Sequence, residues 1–135
     1  MGALLVDLGA RTITGLAVPY GRAARILGRQ YRFRRGWARV EGRVLVLRDH
    51  DNSQRVGRAL QLADTTGGLQ VVLYVRPGRR NDRLLHMTAS GELWLSVGIG
   101  PPELVVDPAD TRVRLVTSAA LPEISLTASP AFETR

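Results

Sequence analysis

The stretch Val44-Leu45-Val46-Leu47-Arg48-Asp49-His50-Asp51 sets four apolar residues in a row before a charged segment. Successive side chains of an extended chain point to opposite faces, so an uninterrupted apolar run predicts an interior strand over residues 44–47. Period two dominates outward from it. Residues 13–18 predict a strand closed by Pro19-Tyr20-Gly21, and residues 31–35 a second ended by Gly36. A turn-rich Asp51-Asn52-Ser53 precedes strands over 56–62 and 69–75, which Asp64-Thr65-Thr66-Gly67-Gly68 joins as a hairpin. Residues 93–99, 113–119 and 121–128 read as further strands. The helix candidate spans 81–89, with Asn81 as its cap, Asp82 in its first turn, Leu84, Leu85 and Thr88 as its inner face and Gly91 as its stop. Residues 101–110, with Pro101-Pro102 and Asp107-Pro108, read as a surface connection. With no alternation of strands and helices, the expectation is a mainly β (α+β) domain, a barrel or sandwich of about six to eight strands with one or two flanking helices.

A chain of 135 residues is long enough for one core, and residues 1–135 are taken as a single domain. It has no cysteine, which removes thiol catalysis and thiolate metal sites. No apolar run approaches the length of a membrane span and the N-terminus lacks a signal-like core, so a soluble, unexported protein is expected. The net charge of +7 comes entirely from arginine, since all 19 basic residues are of that type. The densest segment is Arg29-Gln30-Tyr31-Arg32-Phe33-Arg34-Arg35-Gly36-Trp37. As a nucleic-acid surface it would offer stacking rings and phosphate contacts. As a half-buried strand it would turn Tyr31 and Phe33 inward and Arg32 and Arg34 to water, and the alternation favours this reading.

Three distant segments each carry one proton-handling residue: His50 after the interior strand, Ser96 within Leu93-Trp94-Leu95-Ser96-Val97-Gly98-Ile99, and Glu123 within Leu121-Pro122-Glu123-Ile124-Ser125-Leu126-Thr127. A histidine, a serine and a carboxylate are the base, nucleophile and orienting group of a nucleophilic hydrolase. Taken singly each has a plainer reading. Ser96 is also an ordinary small strand residue, although Gly98 beside it would let a peptide backbone approach. The segment lacks the G-x-S-x-G elbow of α/β hydrolases. His50, between Asp49 and Asp51, is also a polar-turn histidine, and Glu123, sharing a face with Ser125 and Thr127, also fits a solvated strand face. A metal site is weakly indicated, because the other histidine, His86, sits within the helix candidate and reads as structural.

The joint pattern adds to these readings. Gly15-Leu16-Ala17-Val18-Pro19-Tyr20-Gly21, Arg32-Phe33-Arg34-Arg35-Gly36-Trp37, Val46-Leu47-Arg48-Asp49-His50-Asp51 with Val56-Gly57-Arg58, Gly67-Gly68-Leu69, Gly91-Glu92-Leu93 with Leu95-Ser96-Val97-Gly98, and Leu121-Pro122-Glu123-Ile124-Ser125-Leu126 with Pro130-Ala131-Phe132 follow one order. In that order and spacing the chain resembles the prohead (capsid maturation) serine proteases of tailed phages, over nearly its whole length. It departs from their pattern at Trp94, where a glycine is common, at Ile99, where an aromatic is common, and at Gly36-Trp37-Ala38, where Gly-Ala-Phe is common. The chain ends at Arg135, just past the last segment, as expected of a near-minimal version or one trimmed to its protease core.

The resemblance implies a barrel related to the herpesvirus maturation protease (assemblin), with the catalytic histidine and serine on His50 and Ser96 and the acid on Glu123. It implies a serine endopeptidase without cofactor or metal. Its substrates would be the scaffold region of the major capsid protein and the protease itself, cut inside the assembling prohead in the cytoplasm of the bacterial host. A homodimer is compatible with it, no membrane is involved, and nucleic acid would bind at most non-specifically. The alternatives are a non-catalytic phage assembly or nucleic-acid-binding module on the same barrel, and a small esterase using the same residues.

Overall fold

The computed structural model describes residues 4–132. The elements run β1 (Leu5–Asp7), β2 (Thr12–Pro19), β3 (Ala24–Ile26), β4 (Arg29–Phe33), β5 (Ala38–Arg39), β6 (Leu45–Arg48), β7 (Asp51–Asp64), β8 (Gly68–Val75), α1 (Arg79–Ala89), β9 (Trp94–Gly98), β10 (Glu103–Val106), β11 (Val113–Ala120) and β12 (Glu123–Thr127). The fold is mainly β with one helix among the described residues. Seven strands form one sheet in the order β1-β2-β8-β7-β6-β12-β9, which curls into a half barrel and brings β2 close to β9. Its pairings are antiparallel except that of β6 with β12. A second sheet runs β10-β11-β4-β3, and β5 pairs with β11 beyond the end of β4.

Period two becomes burial directly. In β8, Leu69, Val71, Leu73 and Val75 are buried while Gln70, Val72 and Tyr74 are half-buried. β6 lies between β7 and β12, the interior position that its apolar run demands. Both sheets share one core, reaching from Ile13 and Val71 to Val116 and Phe132.

Several expectations are corrected. Twelve strands form among the described residues rather than six to eight. The four without a counterpart in the sequence reading, β1, β3, β5 and β10, have four residues or fewer, too short for a clear period-two signal. Residues 101–110 are not a bare connection: they hold β10, and buried Asp107 joins Arg32 across a 2.6 Å ion pair. The second strand stops at Phe33 rather than continuing to residue 35. The helix begins at Arg79, after Gly78 at φ 140, so Asn81 falls in the first turn and caps nothing. Its end follows expectation, with Gly91 at φ 84 and the Glu92 N–H donating to the Met87 carbonyl at 2.9 Å, a Schellman closure.

The turn Asp51-Asn52-Ser53 is also displaced. Arg48 pairs with Asp51 and Leu47 with Arg55, so residues 52–54 bulge from β7 instead of joining two strands. The Asp51 carboxylate accepts the Ser53 N–H at 2.9 Å and its hydroxyl at 2.7 Å, using turn chemistry inside a strand. The turn itself is Asp49-His50, with φ 53 and 58, the conformation of a two-residue primed hairpin.

In the arginine-rich segment Phe33 and Trp37 are buried, Tyr31 is half-buried, and their rings serve the core. The Trp37 ring, fully buried, meets Phe33 edge to face at 4.7 Å, and Phe132 meets Phe33 at 6.0 Å. Replacing Trp37 with alanine leaves a cavity and should cost roughly 3–5 kcal/mol in urea-unfolding free energy. A loss of under about 1 kcal/mol, the level of an ordinary surface change, would show that this ring is not central to the core.

Candidate functional site

The parallel pairing of β6 with β12 sets Leu45 to Arg48 beside Glu123 to Leu126, and the antiparallel pairing of β12 with β9 sets Glu123 beside Gly98 and Ser125 beside Ser96. The hairpin turn after β6 is tied back to β12, with the Asp49 N–H donating to the Leu126 carbonyl at 3.2 Å. His50 therefore stands over the strand that carries Glu123. Non-glycine residues at positive φ are uncommon, with Asp and His among the better tolerated, and such strain clusters at functional sites.

The structure brings the three expected residues together. His50 Nδ1 lies 2.9 and 3.0 Å from the two carboxylate oxygens of Glu123, and His50 Nε2 lies 3.3 Å from Ser96 Oγ. An ionised carboxylate can only accept, so opposite an ionised Glu123 the Nδ1 atom carries the hydrogen, and the neutral ring then turns its Nε2 lone pair to the serine. The 3.3 Å contact is loose, as catalytic hydrogen bonds often are without substrate. Chemically, this set can pass the serine proton to imidazole and hold the resulting imidazolium against a carboxylate.

Glu123 overturns its plain reading. It is buried, as are Ser125 and Thr127, and Ile124 and Leu126 on the other face are buried too, so β12 has no solvated face. A carboxylate with its side chain only 11% exposed needs partners. Beside His50 these include Ser125, whose hydroxyl donates to the carboxylate at 3.3–3.4 Å while accepting the His50 backbone N–H at 2.9 Å. Ser125 thus ties the turn and the acid to one strand. Its place on the Glu123 face is visible in the alternation of residues 123–127, but its bridging role is not.

Gly98 has a role that the sequence does not show. A Cβ there would come within 2.5–2.8 Å of the Glu123 carboxyl group, so the missing side chain makes room for the acid. Asp49 and Asp51 are not bonded to His50. Asp49 pairs with Arg48 at 3.4 Å, and the Ser53 hydroxyl, followed by its backbone N–H, holds the Asp51 carboxyl below its ordinary range. His86 is exposed on α1, outside this cluster. An open cleft of about 530 Å³ runs along His50, Asn52, Gly98, Ile99, Pro122 and Glu123. Ser96 is not in its wall and is itself 5% exposed. Among the described residues no group of 3 or more His, Asp or Glu side chains is placed to hold a metal ion, and no helix is long and apolar enough to cross a membrane.

No protein-family model, curated protein or solved structure matches the chain.

Because the clash at position 98 involves only the far end of a flexible side chain, Gly98→Ala should still fold, with a lowered unfolding midpoint, while its Glu123 carboxylate swings off His50. The His50 Nδ1–H proton, observed by NMR as a slowly exchanging downfield signal, should then be lost. An unchanged signal in folded Gly98→Ala would contradict this account of the glycine.

Proposed function

We propose that this chain is a serine endopeptidase, with Ser96 as nucleophile, His50 as general base and acid, and Glu123 as the group that orients His50. The observation that carries the reading is the continuous contact from Ser96 Oγ through the His50 ring to both Glu123 oxygens, assembled from two strands and a hairpin turn. In the first half-reaction Ser96 Oγ attacks the scissile carbonyl as its proton passes to His50 Nε2. That proton then goes to the departing amine, leaving an acyl-serine. Water attacks the acyl-serine, giving its proton to His50, and the serine is released as His50 returns the proton to Ser96 Oγ. Glu123 stays ionised throughout and stabilises the imidazolium.

The finer reading follows from the resemblance of the ordered segments. The fold is proposed to be of the herpesvirus maturation protease type, and the substrates to be the scaffold region of a major capsid protein and the protease itself, inside an assembling prohead. The mainly β half barrel is compatible with it. A nucleic-acid module receives less support, because the rings of Phe33 and Trp37 are buried and cannot stack on bases. An esterase would use the same three residues on another acyl group, and the choice of substrate separates the two.

The test is co-expression with the capsid precursor of a neighbouring gene. Ser96→Ala and His50→Ala should each leave the scaffold region uncleaved, and Glu123→Gln should slow processing by about 10⁴-fold, since an amide holds the wrong imidazole tautomer and cannot stabilise the imidazolium. His86→Ala should be nearly silent. Circular dichroism must show each variant folded, because removing His50 leaves a buried carboxylate short of a partner. Full processing by folded Ser96→Ala would contradict the assignment.

A further inference from the structure

The cleft beside His50 does not end at the hairpin. Its Leu45 wall is shared with a second cleft of about 330 Å³, bounded by Arg43, Arg55, Arg58 and Arg76. Arg55 is shared in turn with a third, of about 500 Å³, where Arg48, Arg80 and Arg83 surround an aliphatic floor of Val56, Leu84 and Met87. No carboxylate lines either arginine cleft. The nearby acids are already engaged: Asp49 by Arg48, Asp51 by Ser53, and Asp82 by Arg11 at 2.7 Å. The side chains of Arg43, Arg58, Arg80 and Arg83 are exposed and make no ion pair or hydrogen bond among the described residues. A cationic track therefore leads away from the candidate site with most of its charge uncompensated.

We infer that this track is the docking groove for an acidic, leucine-bearing segment of the polypeptide that the protein cleaves. The inference rests on the protease reading for what lies at the track's origin, and on the track itself for the chemistry. Guanidinium groups match carboxylates in geometry and charge. The floor of the third cleft is aliphatic, which suits leucine-like side chains, and the two arginine clefts together hold a single aromatic ring, Tyr74, where a nucleic-acid strand would need successive rings for its bases to stack on. Desolvated aliphatic contacts would supply affinity and the arginines would set orientation and on-rate.

The experiment uses Ser96→Ala protein and a short fluorescein-labelled peptide of Glu-Glu-Leu repeats, read by fluorescence polarisation. The peptide should bind, a Lys-Lys-Leu peptide should not, and Arg80→Glu with Arg83→Glu should weaken binding by about tenfold or more. Glutamate in the first turns of α1 complements the helix dipole, so this variant should stay folded. Arg25→Glu with Arg29→Glu makes the same change in net charge on the second sheet and should leave binding unaltered. Equal losses from both pairs would overturn the groove in favour of general charge attraction. An oligothymidylate displacing the peptide at lower concentration would overturn the peptide in favour of nucleic acid. With otherwise wild-type protein and an acidic substrate, the Arg80/Arg83 reversal should raise KM about tenfold with kcat unchanged. Cleavage with unaltered KM would sink the groove and leave the protease reading. Specific peptide binding with no cleavage of any substrate would sink the protease reading and leave the groove.

Discussion

The contact between the His50 ring and the Glu123 carboxylate is the constraint around which this end of the sheet is built. Glu123 lies on a strand buried on both faces, where an ionised group is costly unless it is hydrogen-bonded. The imidazole N–H, within 3.0 Å of both oxygens, is the nearest donor to it, and the Ser125 hydroxyl adds a second. Each neighbouring feature then has a reason. Gly98 opposite Glu123 must lack a side chain, and the hairpin must turn in two residues so that His50 returns over β12 rather than past it.

The topology makes these demands compatible. A parallel neighbour on one side of β12 and an antiparallel neighbour on the other bring the end of β6 and the middle of β9 to the same strand. The tight turn costs some backbone strain at Asp49 and His50. That strain is offset by bonds from the turn to Leu126 and Ser125, both on β12. The bulge at residues 52–54 then lets the long strand β7 regain its register with β6. Local strain, bulge and buried acid thus belong to one arrangement, and the arginine-lined clefts begin where that arrangement reaches the surface.

Much of this is legible in the sequence. The apolar run before Arg48 reads as interior, the alternation of β8 reads as half-buried, and His50, Ser96 and Glu123 stand out as proton-handling residues on separate strand segments. The misreadings share a cause, which is that local composition does not report what lies on the other side. Alternation at residues 123–127 looks the same whether the polar face meets water or a second layer of protein, so Glu123 reads as exposed. Asp51-Asn52-Ser53 has turn chemistry, which a bulge uses as readily as a turn. Gly98 signals close approach without saying of what, and nothing in the run from Arg29 to Trp37 shows that the Phe33 ring will meet Phe132, which lies far along the chain.

The central claim is that the His50–Glu123 contact activates Ser96 as a nucleophile. It is tested most directly by treating the purified protein with a fluorophosphonate and locating the adduct by mass spectrometry of proteolytic fragments. The account predicts one modified residue, Ser96, labelled faster than any other serine, with labelling abolished in His50→Ala and strongly slowed in Glu123→Gln. Labelling that misses Ser96, or that proceeds at the same rate in folded His50→Ala, would contradict it.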